Sequence, residues 1–342
     1  MSKTPERNYC RNILDQIYEH AKSNPQRVAF PECTEEKILR AARECADKGY
    51  CHPYLVGNIA EVKAAAEQYG ISLEGFELVD AFDEAFLSEL ISAYTAKYPI
   101  LSEKSLRRKS KDPMYPALMM QALDRVDVMF AGLAHSTGDV ILAGQTIVGL
   151  KEGVSTVSSV GIFNIPGFEG TEGALLGFGD SAVCVNPDSE QLASIAISAC
   201  DTIKALLKWE PRCALLSYST CGSGSSELVD KVTEAVRIAH ERRPELAIDG
   251  EFQLDSAVSP AVAAKKVKRE SPVAGKANII IWPDINVGNI GVKLVQQFAH
   301  ADAYGPMLQG FAKIVCDCSR GAPVSELVGN IAMSCVRAQE NG

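Results

Sequence analysis

The chain has 342 residues, of which 46% are hydrophobic and 23% are charged, as expected for a globular protein of about two domains. This composition excludes a disordered tail, a collagen-like fibre and a small disulfide-stapled scaffold. The formal net charge of −9 argues against a general nucleic-acid or anionic-membrane binder, because such partners attract basic surfaces. An anionic substrate must therefore bind in a locally basic pocket.

The cysteines and the N-terminus indicate a cytoplasmic protein. Eleven cysteines lie singly along the chain, an odd number that is typical of reduced thiols. Cys316 and Cys318 form a C-x-C pair without a second pair at zinc-ribbon spacing, so no metal site is expected. The first twelve residues are polar and lack the apolar segment of a secretory signal. No apolar run approaches the roughly 18 residues of a membrane span, so we expect no membrane partner.

Helical and strand-like patterns alternate along the chain. The spacing predicts a helix over 12–23, a strand over 27–30, a helix over 36–48 that starts near Thr34, and a strand over 52–56. Further strands are predicted over 126–130, 212–217 and 277–282, each followed by a glycine-containing loop and a helical stretch. This alternation is typical of an α/β protein with mostly parallel sheets. Ligands bind at the carboxyl ends of such strands, so the loops there are the candidate sites.

The common catalytic motifs are absent from the sequence. There is no G-x-G-x-x-G after a strand, no Walker motif, no G-x-S-x-G and no H-E-x-x-H, and the chain has five histidines. We therefore expect the chemistry to depend on arginines, carboxylates and hydroxyls.

A loop rich in small and hydroxyl residues spans 217–226, between a predicted strand and a helix over about 227–242. Backbone N–H groups at the start of such a helix can bind an anion, and the helix dipole favours the same charge. The alternative is an ordinary strand-to-helix turn with a serine cap.

A second loop, 319–326, comes directly before a C-terminal helix. Pro323 suits the first helical turn, which places Ser319 and Arg320 where a phosphate would be held. Glu326 falls in the first turn. Its alternative role is to complement the helix dipole, which stabilises a helix by about 0.3–1 kcal/mol.

Two further segments are candidates for binding. His135 begins the segment His-Ser-Thr-Gly-Asp, although a lone histidine is commonly a structural residue and a Ser/His/Asp triad here would lack a nucleophile elbow. The segment 104–111 holds five positive charges in eight residues. It is either a solvated helix face or the basic pocket that an anionic substrate needs.

Several motifs occur together in a specific order over nearly the whole chain: 24–31 (NPQRVAFP), 132–137 (GLAHST), 217–220 (SYST), 222–224 (GSG), 272–278 (PVAGKAN), 288–291 (GNIG), 305–310 (GPMLQG) and 319–321 (SRG). In this order they resemble the phosphate acetyltransferase family, which includes the phosphate butyryltransferases.

The resemblance implies a two-domain α/β fold related to the isocitrate and isopropylmalate dehydrogenases, with a cleft between the domains and a homodimer as the usual assembly. The implied domains are 1–149 plus 305–342, and 150–304. The implied reaction is reversible transfer of an acetyl group between coenzyme A and inorganic phosphate. It would proceed in a ternary complex, without an acyl-enzyme, an obligatory cofactor or a metal. The substrates would be acyl-CoA, phosphate and acyl phosphate, and the location cytoplasmic or inside a bacterial microcompartment.

The resemblance also implies residue roles. Glu326 stands seven residues after Ser319, where the family carries an aspartate base and where ethanolamine-utilisation members resemble this chain in carrying glutamate. Ser319 would hydrogen-bond the thiol, and Arg320 would clamp the phosphoryl oxygens. Arg108 matches an arginine of the family's substrate site. The remaining expected substrate contacts are His135, Ser136, Thr137, Tyr218, Ser219, Thr220, Gly222, Ser223 and Asn289.

One position departs from the family pattern. Typical members carry an arginine three residues after Asp139, where this chain has Leu142. Losing a charge-assisted contact of about 1.5–3 kcal/mol would lower activity about 10- to 150-fold. Either Arg107 or Lys111 compensates, or the substrate or activity has changed. The alternatives are therefore a propionyl- or butyryltransferase and a catalytically weakened acyl-CoA or acyl-phosphate binding paralogue. A metal-dependent decarboxylating dehydrogenase is disfavoured, because neither clustered metal-binding aspartates nor a dinucleotide motif is evident.

Overall fold

The computed structural model of this protein describes residues 8–340, with side chains from residue 13 onward. The chain forms two compact units. Among the described residues, one unit comprises 14–149 with 311–340 and is called the parallel-sheet unit below. The other comprises 150–310 with 8–13 and is called the mixed-sheet unit. Within the described residues, no helix combines the length and apolar character that crossing a membrane requires.

The strands are short and mostly buried. In chain order they are β1 Gln26–Phe30, β2 Cys51–Gly57, β3 Glu77–Asp80, β4 Val128–Ala131, β5 Ser158–Asn164, β6 Leu175–Gly179, β7 Arg212–Leu216, β8 Ala247–Phe252, β9 Ile279–Ile281, β10 Asp302–Gln309 and β11 Ile314–Asp317.

Helices separate most of these strands. They are α1 Asn8–Ser23, α2 Glu36–Asp47, α3 Ile59–Tyr69, α4 Glu84–Lys97, α5 Glu103–Lys109, α6 Met114–Ala122, α7 Thr137–Ile147, α8 Ser189–Leu207, α9 Glu227–Arg242, α10 Leu254–Val258, α11 Pro260–Lys266, α12 Ile285–Phe298 and α13 Val324–Glu340.

The parallel-sheet unit has five strands in the order β11-β4-β1-β2-β3, and every pairing is parallel. Strand β4 is buried along its whole length, as expected for a parallel sheet covered on both faces. Helix α13 packs against α2 and against β1, β4 and β11, and most of its residues are buried. The C-terminal segment therefore supplies both an edge strand and a core helix of this unit.

The mixed-sheet unit has six strands in the order β10-β5-β6-β9-β7-β8. Strand β5 runs antiparallel to β10 and β6, and the remaining pairings are parallel. Three aromatic rings pack together in its core. The ring centroids of Phe163 and Phe178 are 4.9 Å apart, and those of Phe178 and Trp282 are 5.2 Å apart. The α/β class with mostly parallel sheets is thus confirmed.

Most predicted elements occur, with shifted ends. Helix α9 has the predicted bounds, whereas the strand predicted over 277–282 is ordered as β9 over three residues. Asn278, just before β9, accepts a hydrogen bond from Arg212 N at 2.7 Å through its side-chain oxygen. Helix α2 has Glu35 as its N-cap, without a side-chain capping bond, so Thr34 is not the cap.

The second crossing between the units differs from the expected domain boundary at 304/305. Strand β10 continues through that position and pairs with β5 from Asp302 opposite Asn164 to Gln309 opposite Ser158. Because this ladder joins the whole strand to the mixed-sheet unit, the unit ends after Gly310.

Candidate active site

The parallel-sheet unit brings one group of predicted residues to the carboxyl edge of its sheet. The neighbouring strands β1, β4 and β11 end at Phe30, Ala131 and Asp317, and Ala131 pairs with Asp317 in register. The loops that follow contain Glu32, His135 and the Ser319–Gly321 motif. This edge is where parallel sheets place their ligands.

Glu32 organises the loop after β4. Its side chain is almost fully buried and accepts hydrogen bonds from four successive backbone N–H groups, those of Gly132, Leu133, Ala134 and His135, at 3.1, 2.7, 3.0 and 2.9 Å. Burial works to raise the pKa of Glu32, but the hydrogen bonds from His135 and the loop outweigh it and the pKa is lowered. Successive N–H groups form an anion-binding concavity, and here the protein's own carboxylate fills it.

His135 lies between two carboxylates. Its Nδ1 is 2.8 Å from Glu32 Oε1, and its Nε2 is 3.1 Å from Asp112 Oδ2. The hydrogen bonds to Asp112 and then Glu32 raise the pKa of His135 to about 10, so the ring is an imidazolium that donates from both nitrogens. Both polar atoms of the ring are therefore committed to protein carboxylates, which does not favour the substrate contact expected from the sequence.

Ser136 and Thr137 form the start of α7. Ser136 is the N-cap in a capping box with Asp139: its hydroxyl accepts from Asp139 N at 3.2 Å and donates to Asp139 Oδ2 at 2.6 Å. The Thr137 hydroxyl donates to Asp317 Oδ2 at 2.6 Å. Both residues are exposed, but each hydroxyl proton is already used within the protein.

Asp317 is a site residue that sequence reasoning missed. Its Oδ1 is buried without a hydrogen-bond partner, and burial raises the pKa of this carboxyl to about 6, against the opposing bond from Thr137. The available signal was its position, since it ends β11 two residues before Ser319.

The loop before α13 is exposed at Ser319 and Arg320, and Glu326 is exposed in the first turn of the helix. The Ser319 hydroxyl accepts from Gly321 N at 3.3 Å. Lys37 of α2 donates to the carbonyl oxygens of Arg320 and Ala322 at 3.4 and 3.0 Å. The structure thus adds a second cation, Lys37, to the loop that the sequence assigned to phosphate.

The basic segment 104–111 includes helix α5. Arg107 is paired with Glu84 and donates to Ser88 at 2.7 Å, whereas Arg108 is exposed in the last turn of the helix. Leu142 is 59% exposed on α7. Arg107 is therefore already paired within the parallel-sheet unit.

The loop 217–226 of the mixed-sheet unit has its own buried carboxylate. Glu251 of β8 accepts from the Ser219 hydroxyl at 2.7 Å and from Gly222 N at 2.9 Å. Ser219 Oγ in turn accepts from Gly224 N at 2.9 Å. Ser219 therefore acts inside the loop, which it helps to fold.

The other predicted residues of this unit divide by exposure. Thr220 is buried, and its hydroxyl accepts from Gln253 N at 2.9 Å. Tyr218, Gly222 and Ser223 are exposed, and the Tyr218 hydroxyl donates to Ser226 Oγ at 3.0 Å. Asn289 is exposed on α12 and donates to Ser181 O at 3.3 Å.

The C-x-C cysteines are buried thiols. Burial raises the pKa of Cys316 to about 12 and that of Cys318 further, so both stay protonated at neutral pH. In the described part of the chain, no group of three or more His, Cys, Asp or Glu side chains is arranged to hold a metal ion.

Comparison with known proteins decides the family. The sequence model described as phosphate acetyl/butaryl transferase matches residues 12–335. This chain belongs to that family. The phosphate acetyltransferase of Acetivibrio thermocellus is 38% identical over 330 residues, which cover 96% of this chain and 98% of that protein.

Solved structures agree with the family and the fold. A phosphotransacetylase from Streptococcus pyogenes superposes with a TM-score of 0.89 at 31% identity, and the match covers 99% of this chain and 100% of that one. A 4-hydroxythreonine-4-phosphate dehydrogenase from Klebsiella pneumoniae has a TM-score of 0.50 at 10% identity, with 93% and 99% of the two chains covered. The second similarity concerns the fold alone and confirms the dehydrogenase-like architecture expected from the sequence.

Gly132 sets the spacing between the loops after β4 and β11. Its φ is +121°, and a Cβ there would lie 2.4 Å from Cys318 O and 2.5 Å from Cys318 N. We expect Gly132→Ala to lower the free energy of unfolding by about 3 kcal/mol or more, through backbone strain and overpacking. Urea unfolding measures the change.

Gly138→Ala is the matched control for this substitution. In the first turn of α7, its Cβ would lie 3.7 Å from its nearest neighbour, Ser136 Oγ, and alanine favours the helix. We expect no loss of stability, or a gain of up to about 1 kcal/mol. Equal losses from the two alanines would contradict the role given to Gly132.

The raised pKa of Asp317 predicts a pH-dependent stability. Because its folded pKa of about 6 exceeds the ordinary value of 3.8, folding favours the protonated acid, and ionisation destabilises the fold as the pH rises through that interval. Asp317→Asn removes this cost. We expect the change in the free energy of unfolding caused by Asp317→Asn to be about 1–3 kcal/mol more stabilising near pH 7.5 than near pH 4. Urea unfolding of both proteins at the two pH values measures it.

Asp127→Asn should show the opposite trend. Burial alone would raise the pKa of Asp127. The hydrogen bonds from Arg27 outweigh that effect, and the pKa lies below its ordinary value. Its stabilisation is therefore present at neutral pH and is lost as the pH falls. The same trend in both variants would refute the assignment for Asp317.

Proposed function

We propose that this protein is a phosphate acetyltransferase, which transfers an acetyl group reversibly between coenzyme A and inorganic phosphate. The family match over residues 12–335 supports the enzyme class. The structural observation that carries the proposed site is the exposed Ser319–Arg320 loop, which follows a parallel strand and has Lys37 bonded to its carbonyl groups. Such an edge can bind a phosphoryl group in a chain that is acidic as a whole.

The proposed reaction needs a thiolate and a place for the leaving phosphate. Acetyl phosphate is already activated, but a thiol with a pKa near 8.5 is mostly protonated at neutral pH. Glu326 takes the thiol proton, the sulfur bonds to the carbonyl carbon, and the bond from that carbon to the phosphate oxygen breaks. Ser319 hydrogen-bonds the sulfur, and Arg320 binds the departing phosphate oxygens in a bidentate contact.

This transfer is direct, in one complex with both substrates, and it uses no acyl-enzyme, prosthetic group or obligatory metal. Arg108, exposed at the end of α5, is the proposed further phosphate ligand. In the mixed-sheet unit we keep the exposed Tyr218, Gly222 and Ser223 as proposed substrate contacts, and with them Asn289. We assign the buried Ser219 and Thr220 to the folding of their loop, because Glu251 and Gln253 already bond them.

Leu142 supports a second candidate function. An exposed leucine where the family carries an arginine removes a cation from α7 and favours either a larger acyl group or weakened catalysis. The family itself is described for acetyl and butaryl transfer. The assay must therefore compare acetyl-, propionyl- and butyryl-CoA.

The cysteines and α12 support two further parts of the proposal. Ten described cysteines are free thiols and most are buried, which suits a reducing compartment such as the cytoplasm. Four apolar residues at helical spacing on α12 are exposed, which suits a homodimer contact; they are Val287, Ile290, Leu294 and Phe298.

The direct test is phosphate-dependent release of CoA thiol from the three acyl-CoA substrates, with and without a chelator. We expect acetyl-CoA to be turned over, and Arg320→Ala and Glu326→Gln to lower kcat/KM by about 100-fold or more. Arg40→Ala and Glu36→Gln are matched controls, because these residues pair with each other on α2. Absence of turnover with every acyl-CoA would refute the enzyme function, and near-wild-type rates in both site variants would refute the residue roles.

The proposed dimer contact predicts that Ile290→Ser with Phe298→Ser shifts the protein towards monomers. The serines remove two of the exposed side chains that self-association would bury. Sedimentation velocity at several protein concentrations measures the shift. Ile100→Ser is the control, because Ile100 is 74% exposed and lies outside α12. A wild-type monomer, or a dimer indifferent to both serines, would contradict this contact.

A further inference from the structure

A chain of three charged side chains crosses the candidate site in the parallel-sheet unit. It runs from Glu32 after β1, through His135 after β4, to Asp112 between α5 and α6, with contacts of 2.8 and 3.1 Å. The side chain of Glu32 is 1% exposed, that of His135 24% and that of Asp112 34%. The chain thus connects the interior of the sheet edge to the helical segment that carries the basic residues.

The Glu32 end of the chain is fixed. The carboxylate is bonded to the backbone of the loop 132–135 as well as to the His135 ring. The imidazolium is therefore held by its own backbone and by one carboxylate, which leaves Nε2 directed at Asp112. Because both bonds join opposite charges, they are stronger than neutral hydrogen bonds.

The Asp112 end controls the turn between two helices. Asp112 Oδ1 accepts from Met114 N at 2.9 Å, at the start of α6. Asp112 N donates to Lys109 O at 3.0 Å, at the end of α5. A displacement of Asp112 would therefore move both helix ends, including the turn of α5 that carries Arg108.

The opposite side of α5 is held separately. Arg107 is paired with Glu84 and bonded to Ser88, both on α4. Loss of the bond between His135 and Asp112 would thus leave α5 attached to α4 while its last turn loses a link to the strand-end loops. The expected result is a folded protein in which the position of Arg108 is less well fixed.

We propose that Glu32, His135 and Asp112 act as positioning residues, and that they fix the last turn of α5 so that Arg108 meets the phosphoryl group of the substrate. The role rests on the proposed function, since it assigns a phosphoryl ligand to Arg108. It replaces the direct substrate contact expected for His135. A positional error of about 1 Å at such a contact can lower the rate about 100-fold.

The test measures steady-state kinetics with acetyl phosphate and CoA as separately varied substrates. We expect His135→Ala and Asp112→Ala to raise the KM for acetyl phosphate about tenfold, an effect equivalent to about 1.4 kcal/mol. The KM for CoA should stay within about twofold, because the hydrogen bonds found for Ser319 and Arg320 in the described part of the protein do not involve Glu32, His135 or Asp112. Asp112→Asn should keep the KM for acetyl phosphate close to the wild-type value. Its amide oxygen can still accept from Met114 N, and its amide nitrogen can donate to a neutral His135 ring.

Glu89→Gln is the matched control, because Glu89 pairs with Arg125 at 2.6 Å in the same unit and has no assigned role in the site. We expect its two KM values to equal those of the wild type. Parallel rises in both KM values for His135→Ala and Asp112→Ala would indicate general damage and overturn the proposal. Unchanged kinetics in the folded variants would overturn it as well.

An NMR titration of the histidine rings gives a readout that does not depend on turnover. Asp112 and Glu32 form hydrogen bonds with His135, and the carboxylate of Asp139 interacts electrostatically with the ring. We expect the wild-type ring to stay protonated to above about pH 8, and that of Asp112→Ala to lose its proton at lower pH. A wild-type ring that titrates at an ordinary value would overturn the ion chain. An inactive wild type with a protonated ring would overturn the proposed function and the positioning role with it. The ion pairs of His135 with Glu32 and Asp112 would still be established by that result.

Discussion

The parallel-sheet edge depends on one interaction, the binding of the Glu32 carboxylate by the backbone of the loop 132–135. Four buried or half-buried N–H groups would otherwise lack partners, and a buried carboxylate would lack compensation. Each group satisfies the other, so the loop has one stable position above the strand ends. Gly132 is needed at its start because the backbone there approaches Cys318 more closely than any side chain would allow.

The mixed-sheet unit solves the same problem with Glu251. This carboxylate bonds Ser219 and Gly222 and thereby folds the glycine- and serine-rich loop 217–226. In both units a buried acid shapes a loop, and for the loop 217–226 the sequence had suggested direct anion binding. The N–H groups of Gly132, Leu133, Ala134 and His135, and that of Gly222, are therefore satisfied within the protein, and exposed side chains such as Arg320 and Tyr218 are left to meet a ligand.

The sequence predicted the α/β architecture well, because the spacing of apolar residues distinguishes helices from strands. Apolar runs located five of the eleven strands in the described part of the chain, and ordered motifs identified the family. It predicted individual roles less well, since the partner of His135 depends on contacts with residues 23 and 103 positions away. Asp317 was missed for the same reason: its burial is created by loops that meet only in the folded chain. Strand β10 shows a similar limit, because its pairing with β5 decides where the unit ends.

The acid-filled loop after β4 has a consequence for the energetics of ligand binding. A loop with empty N–H groups would sample several conformations and would become ordered only around an incoming anion, at an entropic cost to affinity. With Glu32 already in place, the loop is ordered before any ligand arrives. The same carboxylate, paired with the His135 ring, also occupies the N–H groups that an anion would otherwise bind at the strand ends. The groups left open to an anion are exposed side chains such as Arg320.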